Sequence, residues 1–131
     1  MATDIQNRTD IQRLVDTFYQ RIRQHPELGH VFDTVAQVNW ETHLPKMYNF
    51  WENTLFGART YKGNPMQPHL ELHQRFPLSE ALFEQWLTLF KRTVDDLFAG
   101  PTAERAKARA EAIANMMVQR LYSQSPFNFT E

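Results

Sequence analysis

His69 is the residue of this chain whose position most suggests chemistry. It follows Pro65 and Pro68, and a residue after two prolines is not expected to continue a preceding helix. We therefore expect its imidazole on a short separate segment that faces the space between neighbouring helices. Such a segment could present one axial ligand to a buried planar cofactor. Histidine is the usual proximal ligand where haem iron keeps its opposite position free.

Three further polar side chains, Tyr19, His43 and Trp86, lie on apolar faces of different predicted helices. Each places one hydrogen-bonding group in apolar surroundings. Taken singly, a tyrosine or tryptophan of this kind is more often a core residue whose polar end reaches a carbonyl group or water. Three such groups that converge would instead suit a small polar ligand.

The elements that carry these residues are predicted to be four long helices, because apolar residues recur at helical spacing. The first begins at a capping box from Thr9 and ends near His25-Pro26, the second covers about Asn39 to Phe56, the third is capped by Ser79 and ended by Gly100-Pro101, and the fourth is capped by Thr102. Pro45 fits the second helix if Thr42 is its N-cap, and otherwise requires a kink.

Two shorter segments connect these helices. The segment from Leu28 to Phe32 is predicted to be a tight turn or a single helical turn, because Gly29 interrupts the pattern. Residues 57–78 contain three prolines and two glycines, which favour a loop with room for one short helix around Leu70 to Gln74. Apolar residues within this loop indicate that it packs against the rest of the protein.

Length and charge limit the number of domains and the classes of binding partner. The 131 residues suffice for one domain, which we place at 1–131 with a core at about 9–122 and a short polar tail at 123–131. Lysine and arginine number 14 against 15 acidic residues, so neither nucleic acid nor a membrane surface is an expected partner. A polar start and the lack of a long apolar run predict a soluble, cytoplasmic protein.

The chain contains no cysteine, which excludes disulfides, thiolate metal sites and cysteine nucleophiles. Redox chemistry would therefore need a bound cofactor. Aromatic residues make up 13% of the chain; they can simply fill a core, but they also pack well against a large flat ligand.

The order of several short motifs resembles that of the truncated haemoglobins, most closely their third group. The resemblance covers the chain from Thr9 to about Tyr122. It rests on Phe18-Tyr19, Leu28-Gly29 with Phe32, His43 followed by Asn49-Phe50-Trp51, Asn64-Pro65-Met66 to His69, and Phe83 with Trp86-Leu87 and Phe90. It implies an all-α, two-over-two globin-like sandwich of helices around haem b.

The resemblance also implies roles for individual residues. His69 matches the proximal iron ligand, Tyr19 and Trp86 match distal hydrogen-bond donors to the haem ligand, and His43 matches the distal histidine. The macrocycle would contact Phe32, Met47 and Phe50, and its propionates could pair with Lys46, Lys62 or Arg75. Pro45, so close to His43, leaves the orientation of that imidazole open.

The implied function is binding of dioxygen, nitric oxide or carbon monoxide opposite the proximal histidine. Two distal donors would hold dioxygen tightly, which suits redox chemistry or sensing better than bulk transport. Any enzymatic activity would be the cofactor's, such as nitric oxide dioxygenase or peroxidase-like activity, and would need an unidentified reductase.

Two alternatives stay open at this point. The aromatic groove could bind a partner helix without any cofactor. His69 and His73, four residues apart, could instead hold zinc or, with Glu71, another metal, although Glu71 would point elsewhere on a helix.

Overall fold

The computed structural model describes residues 2–61, 63 and 65–123, and its regular elements are helices. In chain order they are α1 (Arg8–Gln24), α2 (Pro26–Gly29), a π-helical turn (His30–Val35), α3 (Trp40–Phe56), α4 (Met66–Arg75), α5 (Glu80–Leu97) and α6 (Pro101–Ser123). This confirms the all-α prediction. None of the described helices is long and apolar enough to cross a lipid bilayer.

The core lies where α1 packs on α5 and α5 packs on α6. The predicted apolar faces of these helices are buried: Ile11, Leu14, Val15, Phe18 and Ile22 on α1, Phe90 and Val94 on α5, and Ala106, Ala110, Ala114, Met117 and Leu121 on α6. The alanines of α6 allow its backbone to approach α5 closely. Burial of each large side chain stabilises the fold by about 1.5 to 3 kcal/mol.

The N-terminus of α6 is capped from the other end of the chain, so the predicted cap at Thr102 is wrong. The carboxylate of Asp4 accepts hydrogen bonds from the backbone N–H groups of Thr102 (2.9 Å) and Ala103 (2.8 Å). Gly100 permits this approach, because a Cβ there would lie 2.5 Å from Cγ of Asp4. A distant carboxylate thus satisfies two otherwise unpaired donors of the helix end.

The start of α1 also differs from the prediction. The N-cap of α1 is Asn7, not Thr9, and its side chain accepts a hydrogen bond from the backbone N–H of Asp10 at 2.9 Å. The N-cap of α3 is Asn39, the earlier of the two predicted starts, so Thr42 is not the cap and Pro45 lies inside the helix beyond its first turn. One intrahelical hydrogen bond is therefore missing near His43. Ser79 caps α5 as predicted.

Gly29 does not interrupt the helical path between α1 and α3. It is the last residue of α2 and has ordinary helical torsion angles. A Cβ there would lie 2.7 Å from the carbonyl oxygen of Arg23, so the glycine serves close packing rather than a turn. The segment predicted as a single turn is thus α2 followed by the π-helical turn.

The helix that carries His69 is longer than predicted and includes both His69 and Pro68. Pro68 is its third residue, where the missing N–H would have no helical partner in any case. This helix, α4, packs on α6, whereas α3 packs mainly on α1. Among the described residues, α3 and α4 do not pack extensively on each other. The helices that carry His43 and His69 therefore present side chains toward a space between them.

Candidate functional site

The imidazole of His69 is held in one orientation by its own helix. Its Nδ1 lies 2.6 Å from the carbonyl oxygen of Pro65, and since a carbonyl oxygen can only accept, Nδ1 carries the proton. The lone pair is therefore on Nε2. Burial lowers the pKa of His69, against the opposing effect of the Pro65 hydrogen bond, so the ring is neutral near pH 7. A neutral imidazole oriented by a backbone carbonyl is the usual form of a histidine that ligates a metal.

His73, the rival ligand, has a structural role. Its Nδ1 accepts a hydrogen bond from the backbone N–H of Leu78 at 2.9 Å, and its ring lies edge-on to Tyr122. Glu71 accepts a hydrogen bond from the side chain of Gln67. The described residues contain no cluster of three histidine or acidic side chains that could hold a metal ion. The geometry gives no support to the zinc and non-haem alternatives.

Tyr19 and His43 lie side by side although they come from different helices. Their ring centroids are 5.2 Å apart and nearly perpendicular. The ring of Phe32 is 5.8 Å from that of Tyr19. Trp40, one turn before His43, completes the group, since its ring lies 5.4 Å from Tyr19 and 5.5 Å from His43. Tyr19, His43 and Phe32, which the sequence analysis identified as candidate site residues, thus share one aromatic cluster with Trp40, which it did not identify.

His43 has a buried polar atom without a partner. Its Nε2 forms no hydrogen bond with any described residue. Burial lowers the pKa of His43 to about 4, with smaller contributions from the charges of Lys46 and His69. The contribution of His69 indicates that its imidazole is close enough to His43 to act on it electrostatically. A buried nitrogen without a partner is costly unless something else bonds to it.

Trp86 is connected to Tyr19 through Phe18. The Phe18 ring lies 5.0 Å from Tyr19 and 5.7 Å from Trp86, edge-on in both cases. The indole of Trp86 stacks on Phe90 at 5.8 Å. Its predicted role as a donor requires the indole N–H to point toward a ligand.

Met47 and Phe50 lie on α3 after His43 and are half-buried against the core. The Phe50 ring also contacts Trp51 and Tyr61 edge-on. Both side chains keep accessible apolar surface, which suits a flat apolar ligand.

The basic residues considered for propionates fall into two sets. Lys46 and Arg75 are exposed, lie on α3 and α4, and form no ion pair within the described part of the chain. Lys62 lies outside the described residues, as does the tail from residue 124 on. Pairing with propionates stays a prediction.

These features fit a haem. The lone pair on Nε2 of His69 could hold its iron, and the unpartnered Nε2 of His43 could offer a polar group to a bound ligand. Phe32, Met47 and Phe50 supply apolar surface. Sequence reasoning missed the Pro65 carbonyl, although its spacing of four residues from His69 becomes a signal once α4 is known to begin at Met66. It also missed Trp40, one turn before His43.

Comparisons with known proteins agree with this geometry. The family model described as "Bacterial-like globin" matches residues 4–122. The group 3 truncated hemoglobin ctb of Campylobacter jejuni is 30% identical over 119 residues, which cover 88% of this chain and 91% of that protein. The group 2 truncated hemoglobin YjbI of Bacillus subtilis is 30% identical over 112 residues, covering 84% and 82%. The crystal structure of a group III truncated hemoglobin from Campylobacter jejuni superposes with a TM-score of 0.83 at 29% identity, covering 95% of this chain and 98% of that one.

Proposed function

Because this chain belongs to the bacterial-like globins, a family of haem proteins, we propose that it binds dioxygen or a similar diatomic ligand at a haem b held by Nε2 of His69. The observation that carries the proposal is the buried Nε2 of His43, which has no hydrogen-bond partner among the described residues and lies beside Tyr19. A polar ligand between α3 and α4 would satisfy it.

The chain supplies orientation, hydrogen bonds and exclusion of water. When bound, haem iron supplies the sixth coordination position and its redox chemistry. His69 keeps its lone pair on Nε2 because Nδ1 donates to Pro65. Tyr19 is 7% exposed, and burial raises the pKa of its phenol, so the hydroxyl keeps its proton and can donate it in a hydrogen bond.

Hydrogen bonds to a ligand are strong in such surroundings, because water does not compete. A donor such as Tyr19 stabilises bound dioxygen by about 1 to 3 kcal/mol, expressed mainly as slower dissociation. Donors from Tyr19, His43 or Trp86 acting together would make release slow. We therefore infer a role in redox chemistry or sensing, with nitric oxide dioxygenase or peroxidase-like activity as the enzymatic forms and a separate reductase as electron donor.

Absorption spectra of the purified protein test the proposal. Ferric, dithionite-reduced and carbon monoxide-bound forms are recorded for the parent protein, His69→Ala and His73→Ala. We expect a Soret band and a five-coordinate reduced form in the parent and in His73→Ala, and loss or alteration of both in His69→Ala.

Two outcomes would contradict it. Absence of stoichiometric haem in the parent protein would favour the cofactor-free helical module. Spectral changes in His73→Ala instead of His69→Ala would move the axial ligand to His73.

A further inference from the structure

An open groove reaches Tyr19 from the surface between α1 and the start of α3. Its volume is about 590 Å³. The residues that line it are Asp16, Tyr19, Gln20, Arg23, Gln24, Asp33, Trp40, Leu44 and Tyr48. The groove thus borders Tyr19, a nearly buried residue that we place beside the bound ligand.

Trp40 lies between this groove and His43. Its indole lines the groove and contacts His43 and Tyr19 with ring centroids 5.5 Å and 5.4 Å away. His43 itself does not line the groove. On its other side, the indole stacks on Phe32 at 6.0 Å. A molecule that moves from the groove toward His43 on this side therefore meets Trp40.

Trp40 is held by two charged side chains at the surface, and we call the three residues Arg23, Asp33 and Trp40 the Trp40 cluster. The indole N–H donates to the Asp33 carboxylate at 2.8 Å. The guanidinium of Arg23 lies 3.3 Å from the same carboxylate and 5.0 Å from the centre of the indole ring. Both charged side chains are exposed, so their interactions are weak and can break without unfolding of the core.

We propose that the Trp40 cluster controls the passage of diatomic ligands between the groove and the distal pocket, with Trp40 as the moving element. This inference rests on the proposed function. A residue that only opens and closes a path changes ligand entry and ligand exit by the same factor, because it leaves the energies of the free and bound states unchanged. A distal donor such as Tyr19 would change mainly the dissociation rate and hence the affinity.

Carbon monoxide kinetics on the haem-loaded protein distinguish these effects. Association is measured after flash photolysis and dissociation by ligand replacement, in the parent, Asp33→Ala and Trp40→Phe, with Trp40→Ala as the more drastic variant. Tyr48→Phe is the matched control, because Tyr48 lines the same groove and donates to Asp16 but belongs to another set of contacts. The stretching frequency of bound carbon monoxide reports whether Tyr19 and His43 have moved relative to the bound ligand.

We expect Asp33→Ala and Trp40→Phe to raise both rate constants together by about two- to tenfold, the factor that loss of one hydrogen bond carries. The dissociation constant and stretching frequency should stay unchanged, and Tyr48→Phe should match the parent. Asp33 is exposed, so its variant is expected to fold even if Trp40→Ala does not.

Three results would overturn the inference. Parental rates in Asp33→Ala and Trp40→Phe would show that ligands enter elsewhere. A change in affinity or stretching frequency would show that Trp40 acts through Tyr19 and His43. Equal acceleration in Tyr48→Phe would indicate general loosening of the groove. A parent protein without haem would instead contradict the proposed function. The absorption spectra show this before any carbon monoxide kinetics are measured, so the two failures can be distinguished.

Discussion

The side of the molecule formed by α1, α5 and α6 differs from the side formed by α3 and α4 in how its side chains are held. On the first side the facing residues are buried almost completely, as with Phe18 and Phe90. On the second side His43, Met47, Phe50 and His69 stay half-buried. The comparison teaches that packing alone positions the core, whereas individual hydrogen bonds and ring contacts position the candidate ligand-binding residues.

The two histidines of α4 show the same difference over four residues. In His69, Nδ1 donates to Pro65 and leaves Nε2 with a lone pair. In His73, Nδ1 accepts from Leu78 and so helps to end the helix. The backbone group that contacts Nδ1 thus decides whether a histidine of α4 keeps a lone pair on Nε2 for a metal or helps to end the helix.

The largest expected effect is on stability, from the core side. Phe90→Ala should lower the free energy of unfolding by about 3 to 5 kcal/mol, because it removes a ring that is 1% exposed and leaves a cavity. Phe50→Ala should cost about 1 to 2 kcal/mol, since that ring is only half-buried. Urea unfolding of the haem-loaded protein, followed by circular dichroism, measures both. Equal losses would contradict the distinction between the two sides.

The next effect is on ligand release. Tyr19→Phe should accelerate dioxygen dissociation by roughly five- to 150-fold, corresponding to loss of about 1 to 3 kcal/mol of hydrogen bonding. Stopped-flow dissociation measures it, and Tyr48→Phe controls for removal of a tyrosine hydroxyl outside the pocket. An unchanged rate would exclude Tyr19 as a donor to the ligand.

A pH effect follows from His43. Its pKa is about 4 in the folded protein against 6.5 for the free side chain, so the unfolded chain binds a proton first as the pH falls. Stability should therefore decline between about pH 6.5 and 4. The full shift corresponds to at most about 3 kcal/mol, and solvent at the half-buried ring reduces this to about 1 to 2 kcal/mol.

Unfolding free energies measured from pH 7 to pH 4 in the parent and in His43→Leu test this prediction. The variant should lose less stability over that interval than the parent does. His30→Asn, a change at an exposed histidine, is the control. Identical pH profiles in the parent and His43→Leu would show that His43 is not held neutral by burial.

The smallest effect concerns the cap of α6. Asp4→Ala should destabilise the protein by about 1 kcal/mol, because two backbone N–H groups lose their acceptor. Asp95→Ala, which removes only an exposed ion pair with Lys107, should have almost no effect. Thermal unfolding of both variants compares them, and equal midpoints would mean that water replaces Asp4 at little cost.

The sequence predicted the buried faces of the four long helices because helical periodicity is local. It also placed Tyr19, His43, Trp86 and His69 on separate elements. The prediction was wrong where a distant contact, or the position of a residue within its helix, decides the local structure, because the sequence pattern shows neither. Asp4 caps α6 in place of Thr102, Asn7 caps α1 in place of Thr9, and Pro68 is accommodated within α4. The roles of the site residues and a cytoplasmic location stay predictions.

By itself, the sequence determined the all-α class, the long helices and the isolation of His69 on its own segment, because apolar spacing, glycine and proline act within a few residues. Only the tertiary structure decided which nitrogen of His69 is free, that His43 lies beside Tyr19 with an unpartnered nitrogen, and that Trp40 lies between His43 and a groove. The free nitrogen of His69 depends on where α4 begins, and the other two features depend on where helices cross, which no local pattern encodes.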